Sequence, residues 1–216
     1  MLRLPFTEER YQKNWTPVKE FIDSIYMSES TVYKNWSFEK LYTAVYYCVL
    51  FKSGNRLYTD IVQHLRGTLT RLNMNVELEE AGRLPTSLAV KTHYGHCLPH
   101  VRATKFLMTF YNVLKPFCQV IRLLPDICMY MDRVLLGPLE TDIKTELIKD
   151  FVSEVSEDHI EKALLFARSH PHAIPKDMLA DLIKWLYQLH PSSVGSFVDN
   201  QIALSLQIPL SETEDC

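Results

Sequence analysis

Apolar residues recur at helical spacing along almost the whole chain, and this pattern limits the possible fold more than any other feature of the sequence. A clear example near the start is the stripe formed by Val18, Phe21, Ile22, Ile25 and Tyr26. Side chains at this spacing lie on one face of an α-helix and can pack together into a core. The sequence therefore predicts an all-α protein.

Capping residues and helix breakers set the predicted helix boundaries. Ser37 is a good N-cap and Gly54 a stop signal, so the second helix is predicted over 38–52. Pro116 and Pro125 are each expected to bound or kink a helix, because proline lacks a backbone N–H and its ring clashes with the preceding turn. The predicted helices are 11–27, 38–52, 57–72, 97–114, 117–136, 140–155, 156–168 and 175–189, with an irregular excursion within 73–95 and connections at 170–172 and 190–193.

The composition excludes several classes of protein. The formal net charge is −3 and the basic residues are scattered, so neither nucleic acid nor an anionic membrane is an expected partner. No apolar run approaches the ~20 residues of a membrane-spanning helix, and the first residues do not resemble a signal peptide. The 5 cysteines are widely spaced, as is usual for reduced thiols. We therefore expect an intracellular protein of the cytoplasm or nucleus, without disulfides.

The second predicted helix carries more apolar surface than one packing face requires. Its main stripe covers an arc of roughly 140° at ~100° per residue. This stripe comprises Phe38, Leu41, Tyr42, Val45, Tyr46 and Val49, and the far side adds Tyr47, Cys48, Leu50 and Phe51. Two alternatives follow: either the helix is buried on all sides, or it packs with one face and offers an aromatic-rich face to a partner.

Three segments resemble the N-terminal repeat of the cullin family. Residues 37–46 fit the pattern S-F-E-x-L-Y-x-x-x-Y, and residues 52–58 fit K-x-G-x-x-L-Y. Residues 126–134 fit D-I-x-M-Y-M-D-R-V, which lies in the fifth helix of the first cullin repeat. The matches occur in order within 11–136. The resemblance implies a cullin-repeat-like helical bundle with additional C-terminal helices.

The resemblance also implies a binding surface. In cullins, the second and fifth helices of the first repeat receive an adaptor, which is either a Skp-type protein or a BTB-domain substrate receptor. Transferred to this chain, the contacts would come from Phe38, Leu41, Tyr42, Tyr46, Tyr130 and Arg133. Alternatively, these residues match cullins only because they hold the bundle together.

The chain is most like the short cullin-domain proteins that associate with a cyclin-dependent kinase. That resemblance implies kinase binding and a role in cell-cycle progression from G1 to S phase and in proliferation. A cullin that works as a ubiquitin-ligase scaffold has further repeats and a C-terminal domain, for which 216 residues leave no room. We therefore expect a competitor, cap or regulator rather than a complete scaffold.

The expected organisation is a cullin-repeat-like domain over 11–136, a C-terminal helical extension over 137–210 and an acidic tail over 211–216. Residues 201–210 could form a short helix or a strand, because their apolar residues alternate. No internal repeat with a fixed short period is visible, so a solenoid of small units is not predicted.

A second function class depends on His93, His96, Cys97 and His100, which are close enough in sequence to suggest zinc ligands or a thiol nucleophile. This pattern would suit a small zinc-dependent or thiol hydrolase. However, no second Cys/His pair completes a zinc site, and phosphate-binding and nucleophile-elbow motifs are absent from the sequence. The sequence therefore favours a non-catalytic protein without a cofactor or metal.

Overall fold

The elements of the described chain are all helical. The computed structural model describes residues 7–27, 36–80 and 99–195. In chain order the elements are α1 (Glu8–Met27), α2 (Phe38–Leu50), α3 (Gly54–Glu80), α4 (Pro99–Met131), a π-helical turn (Asp132–Leu136), a 3-10 turn (Gly137–Leu139), α5 (Ile143–Glu154), α6 (Glu157–Ser169), α7 (Lys176–Leu189) and α8 (Pro191–Gly195). The predicted all-α class is confirmed. The predictions for 81–98 and 201–216 lie outside the described residues.

The chain divides into two compact units, each made from two stretches. Unit 1 comprises Met1–Thr68 and Pro116–Phe151, and unit 2 comprises Leu69–Lys115 and Val152–Cys216. The predicted domain boundary at residue 137 stays a prediction, because the compactness of a unit does not show which segments fold independently.

The corner between α2 and α3 differs from its prediction. Lys52, with φ 65°, adopts the left-handed conformation just after α2, whereas Gly54 is the first residue of α3 rather than a stop. A Cβ atom on Gly54 would collide with the side chain of Leu135 and lie 3.2 Å from Cγ2 of Val49. The glycine therefore permits close packing here, and its sequence position alone did not reveal that role.

Helix α4 also corrects a prediction. Pro116 and Pro125 were each expected to bound or kink a helix, and separate helices were predicted over 97–114 and 117–136. Both prolines instead lie inside one helix of 33 residues, so neither ends a helix. Each proline removes one backbone hydrogen bond, which costs about 3 kcal/mol in a helix interior. The surrounding side chains offset this cost, because Phe117, Val120, Leu124 and Ile127 are fully buried.

In unit 1, α1 packs against α2 with a fully apolar face and is tied to α3 by polar contacts. Glu8 accepts a hydrogen bond of 2.7 Å from Arg56, and its pKa falls to about 2, chiefly because of that bond. The Tyr11 hydroxyl donates to Asp60. Burial, followed by the bond to Asp60, raises the pKa of this tyrosine. These contacts fix the start of α1 on the first turns of α3.

In unit 2, α6 and α7 contact each other, and each makes an aromatic contact with α4. The ring of Phe166 lies 5.3 Å from that of Phe106, and Trp185 lies 5.3 Å from Tyr111. The predicted bounds of these two helices agree with the structure to within one residue. The predicted connection at 190–193 is instead mostly helical, because α8 begins at Pro191, where a proline is tolerated at a first helical position.

Three of the cysteines lie in the described chain, and each is a free thiol: Cys48, Cys118 and Cys128. Burial raises the pKa of Cys48 and of Cys118 to about 12, which keeps both thiols protonated and unreactive near neutral pH. In the described ranges, no helix combines the length and the apolar character needed to cross a membrane.

Candidate protein-interaction surface

Helix α2 has one buried face and one open face. Ser37 caps its start and accepts a hydrogen bond of 3.3 Å from the backbone N–H of Lys40. The buried face comprises Leu41, Ala44, Val45, Cys48 and Val49. On the other side, Tyr42 and Tyr46 are half-buried, while Tyr47 is 43% exposed. Of the two alternatives for this helix, the structure therefore agrees with the one that leaves an aromatic face open.

The aromatic rings of this open face contact one another and reach the last turns of α4. The ring centroids of Tyr46 and Tyr130 lie 4.7 Å apart. Tyr46 also stacks on Tyr42 at 6.4 Å and meets the edge of Tyr47 at 5.9 Å, and Tyr47 stacks on Phe51 at 6.2 Å. Aromatic pairs at such separations are worth about 0.5–1.5 kcal/mol beyond their buried area. Tyr46 and Tyr130 therefore join the two helices at the surface.

Some residues of segment 126–134 stabilise the fold, and others are exposed at the surface. Ile127, Cys128 and Met131 are fully buried in the core. Asp132 accepts a hydrogen bond of 3.0 Å from the backbone N–H of Ile143 and so holds the first turn of α5. Burial raises the pKa of this carboxyl although the hydrogen bond opposes the rise.

The surface residues of the same segment point into solvent. Met129 is 59% exposed, Arg133 is exposed and Tyr130 is half-buried against Tyr46. We call the surface formed by these three residues and the open side of α2 the α2/α4 face. Its members are Phe38, Tyr42, Tyr46, Tyr47, Met129, Tyr130 and Arg133.

The sequence-predicted site residues do not all lie on this face. Leu41 is 1% exposed and belongs to the core, so its side chain is not offered to a partner. Phe38 is 38% exposed but its ring also lies 5.9 Å from the core ring of Phe21. Tyr47 and Met129 were not among the predicted residues. The sequence feature that could have identified Tyr47 is the apolar far side of the second helix.

The polar groups of the face have no protein partner in the part of the chain that the structure describes. The hydroxyls of Tyr42, Tyr46, Tyr47 and Tyr130 make no hydrogen bond there, and Arg133 makes no ion pair. In the same unit, by contrast, the hydroxyl of Tyr58 donates to Glu146 at 3.1 Å. The hydroxyl groups of these tyrosines can therefore donate hydrogen bonds to water or to a binding partner.

Most residues of the alternative zinc or thiol site lie outside the described ranges. His93, His96 and Cys97 lie outside the described residues, and for His100 only the backbone is described. Among the side chains that are described, no group of three or more His, Cys, Asp or Glu residues could hold a metal ion. Elemental analysis of the purified protein for zinc tests this alternative directly.

Comparisons with known proteins cover most of the described chain. The family model described as "Cullin alpha solenoid domain" matches residues 15–196. The chain is 27% identical over 136 residues to Cullin-3 of Saccharomyces cerevisiae, covering 63% of this chain and 15% of that protein. It is 21% identical over 192 residues to the CDK2-associated and cullin domain-containing protein 1 of Rattus norvegicus, covering 84% of this chain and 49% of that protein.

The chain thus spans only 15% and 49% of the lengths of these two relatives. The family match nevertheless includes α2, the end of α4 and the helices of the C-terminal half. It extends past residue 136, where the motif resemblance in the sequence stops. Because it covers most of the chain, the match shows that this protein belongs to the cullin family.

Proposed function

We propose that this chain is a non-catalytic protein-interaction module that binds a partner protein through the α2/α4 face. The main observation that supports the proposal is that segment 126–134 contains both buried and exposed side chains. Met129 and Arg133 are exposed and have no partner in the described chain, so the needs of the fold do not explain their match to the cullin pattern. A role in binding would explain it.

The chemistry of the face suits protein binding. Tyrosine and arginine often dominate binding energies at interfaces, because each combines a large buriable area with a polar end. The four tyrosines of the face already contact one another, so little side-chain freedom would be lost on binding. The methionine adds a flexible apolar side chain that adapts to a partner.

We propose a Skp-type or BTB-domain ubiquitin-ligase adaptor as the partner of this face, as the resemblance to cullins implies. A cyclin-dependent kinase is the second proposed partner, supported by the rat relative whose name describes it as CDK2-associated. We propose that this chain acts as a competitor or regulator of adaptor binding. We place this activity in the cytoplasm or nucleus, in the control of G1/S progression and proliferation.

A binding titration with paired variants tests the proposal. The purified chain is immobilised, and a Skp-type adaptor, a BTB-domain adaptor and the kinase CDK2 are titrated separately. The test variant combines Tyr42→Ala and Tyr130→Ala, which removes two rings from the face. Phe38 is left unchanged because its ring also packs on Phe21 in the core. We expect saturable binding of at least one partner and a loss of at least 100-fold in affinity in the double variant.

The control is Leu165→Ala, because this leucine is 58% exposed and belongs to unit 2, whereas every residue of the face belongs to unit 1. It should bind as the unchanged protein does. Circular dichroism and thermal unfolding should show that all variants remain helical and folded. Absence of binding to every adaptor and to the kinase, or equal binding by the double variant, would refute the proposal.

A further inference from the structure

Helix α1 contains a phosphorylation motif whose threonine is exposed. Of the 11 prolines in the chain, only Pro17 follows a serine or threonine, and the sequence there is Thr16-Pro17-Val18-Lys19. A threonine followed by proline, with a basic residue three positions after the threonine, is the substrate pattern of cyclin-dependent kinases. Thr16 is exposed, and its hydroxyl makes no hydrogen bond in the described chain. This hydroxyl is therefore available as a phosphate acceptor.

The surface around Thr16 suits a phosphate group. Lys13 and Lys19 stand three residues before and three residues after it, so both are its neighbours on the helix surface. Both lysines are exposed. Glu20, four residues after Thr16, opposes an added negative charge, but the two lysines outnumber it. A phosphate on Thr16 would therefore lie outside the core and next to two positive charges.

The motif can react only when α1 opens locally, because a protein kinase binds its substrate segment in an extended conformation. Trp15 and Val18 are buried, which opposes this opening. Pro17 favours it, because proline has no N–H and leaves the carbonyl of Lys13 without its hydrogen bond inside the helix. The segment around Thr16 is therefore a weak point in the hydrogen bonding of α1.

The start of α1 is held by contacts that resist the same opening. Arg56 donates a hydrogen bond of 2.7 Å to Glu8, and the hydroxyl of Tyr11 donates to Asp60. The side chains of Arg56 and Glu8 are 47% and 62% exposed, so the pair adds only modestly to the stability of this helix end. Breaking the pair should therefore let the segment open more often while the protein stays folded.

We propose that Thr16 is phosphorylated by a cyclin-dependent kinase when the first half of α1 opens. This inference rests on the kinase association proposed above and extends it, since it makes the chain a substrate of the kinase. In the reaction, Oγ1 of Thr16 bonds to the γ-phosphorus of ATP, and its proton passes to the catalytic aspartate of the kinase. The bond between the γ-phosphorus and the bridging oxygen breaks, and ADP leaves with its electrons. The helix can then close again, because the phosphate is on the exposed side.

Phosphate transfer from labelled ATP tests the proposal. The full chain is incubated with CDK2 bound to a cyclin, and the modified residue is identified by mass spectrometry. We expect phosphate on Thr16 and its loss in Thr16→Ala and in Pro17→Ala. The second variant keeps the hydroxyl and replaces proline by a strong helix former, so unfolding does not account for its loss of phosphate.

Matched variants separate recognition of the motif from the opening of the helix. Lys19→Ala should lower the rate of phosphorylation by about tenfold, whereas Lys19→Arg, which keeps the charge, should leave it nearly unchanged. Arg56→Ala should raise the rate by about two- to fivefold, because it removes a contact that holds α1 closed. Thr59→Ala is the control, since Thr59 is also exposed on a helix but is not followed by proline. It should take up as much phosphate as the unchanged protein.

The outcomes separate this site from the proposed function. Absence of phosphate on Thr16, or equal incorporation by Pro17→Ala and the unchanged protein, would overturn the proposal. An unchanged rate in Arg56→Ala would overturn the part of it that requires α1 to open. Saturable binding of CDK2 without phosphate on Thr16 would refute the site and leave the proposed function standing. Phosphate on Thr16 without saturable binding would support the site although the proposed kinase binding fails.

Discussion

Unit 1 contains two regions that use the same residue types in opposite ways. The first is the contact of α1 with α3, and the second is the α2/α4 face. In the first region the hydroxyl of Tyr11 is bonded to Asp60 and the guanidinium of Arg56 binds Glu8. Arg56 also lies 4.0 Å from the ring of Tyr11. In the second region the tyrosine hydroxyls and Arg133 have no partner in the described chain. The comparison separates side chains that serve the fold from those left available for binding.

The largest expected difference is between two leucines of α2. Leu41 is 1% exposed, so Leu41→Ala should lower the free energy of unfolding by about 2–5 kcal/mol, because it removes buried apolar contacts and leaves a cavity. Leu50 is 48% exposed, and Leu50→Ala should change it by no more than about 0.5 kcal/mol. Urea unfolding of both variants measures the difference. Similar values would mean that α2 does not have one buried and one open face.

The second difference is between two tyrosines. Tyr11→Phe removes a hydrogen bond to a carboxylate and should lower the free energy of unfolding by about 1.5–3 kcal/mol. Tyr130→Phe removes a hydroxyl without a partner in the described chain, so stability should stay within about 0.5 kcal/mol. Thermal unfolding of the two variants provides the measurement. A clear loss of stability in Tyr130→Phe would contradict the separation between fold tyrosines and surface tyrosines.

The third difference lies between neighbours in the cullin-like segment. Asp132→Ala removes the acceptor for the backbone N–H of Ile143 and should lower the free energy of unfolding by about 1 kcal/mol. Arg133→Ala should leave stability nearly unchanged but weaken adaptor binding. Unfolding and binding are measured on the same preparations. If both variants lost the same stability, the segment would be structural throughout.

The smallest effect should appear in the pH dependence of stability. The pKa of Glu146 is lowered, first by its hydrogen bond from Lys149 and further by those from Thr141 and Tyr58. Because its folded-state pKa lies below the unfolded value, its contribution is present above the unfolded pKa and is lost as pH falls through the folded pKa. Between about pH 7 and pH 3, Glu146→Gln should therefore lose less stability than the unchanged protein does. Parallel denaturant curves at several pH values measure this, and identical pH profiles would count against the contact network of Glu146.

Asp132 should act with the opposite sign in the same measurement. Burial raises its pKa, so the charged form is disfavoured in the folded state. Its unfavourable contribution develops as pH rises through the unfolded and then the folded pKa. Asp132→Asn should therefore respond to pH in the direction opposite to Glu146→Gln, which provides an internal control.

Much of the helical layout could be predicted from the sequence, because apolar spacing reports directly on which side of a helix is buried. The starts of α2, α6 and α7 were predicted to within one residue, and each of these helices follows a serine or proline with a clear local preference. The family could also be recognised, because the matched segments carry several residue types at fixed spacing. The solenoid architecture of the family was not predicted, since helices of 20, 13, 27 and 33 residues hide any regular period.

The predictions that failed concern residues whose local preference is overridden by distant contacts. Pro116 and Pro125 favour a break, but burial of the surrounding apolar side chains keeps α4 continuous. Gly54 favours a stop, but it begins α3 because Leu135 and Val49 pack closely against it. In both cases the helix boundary depends partly on packing against neighbouring residues. The helical spacing within one segment does not identify all of those neighbours.

The sequence by itself determined that the described chain is helical, where α2, α6 and α7 begin and which family the chain resembles. Those features depend on residues within a few turns of one another, and such residues are adjacent in sequence. Only the tertiary structure decided that Leu41 is core while its neighbour Tyr42 remains half-exposed, and that Tyr46 meets Tyr130 at 4.7 Å. The two tyrosines are 84 residues apart in the chain. Their contact, and with it the candidate binding face, depends on how α2 and α4 pack, which no local pattern encodes.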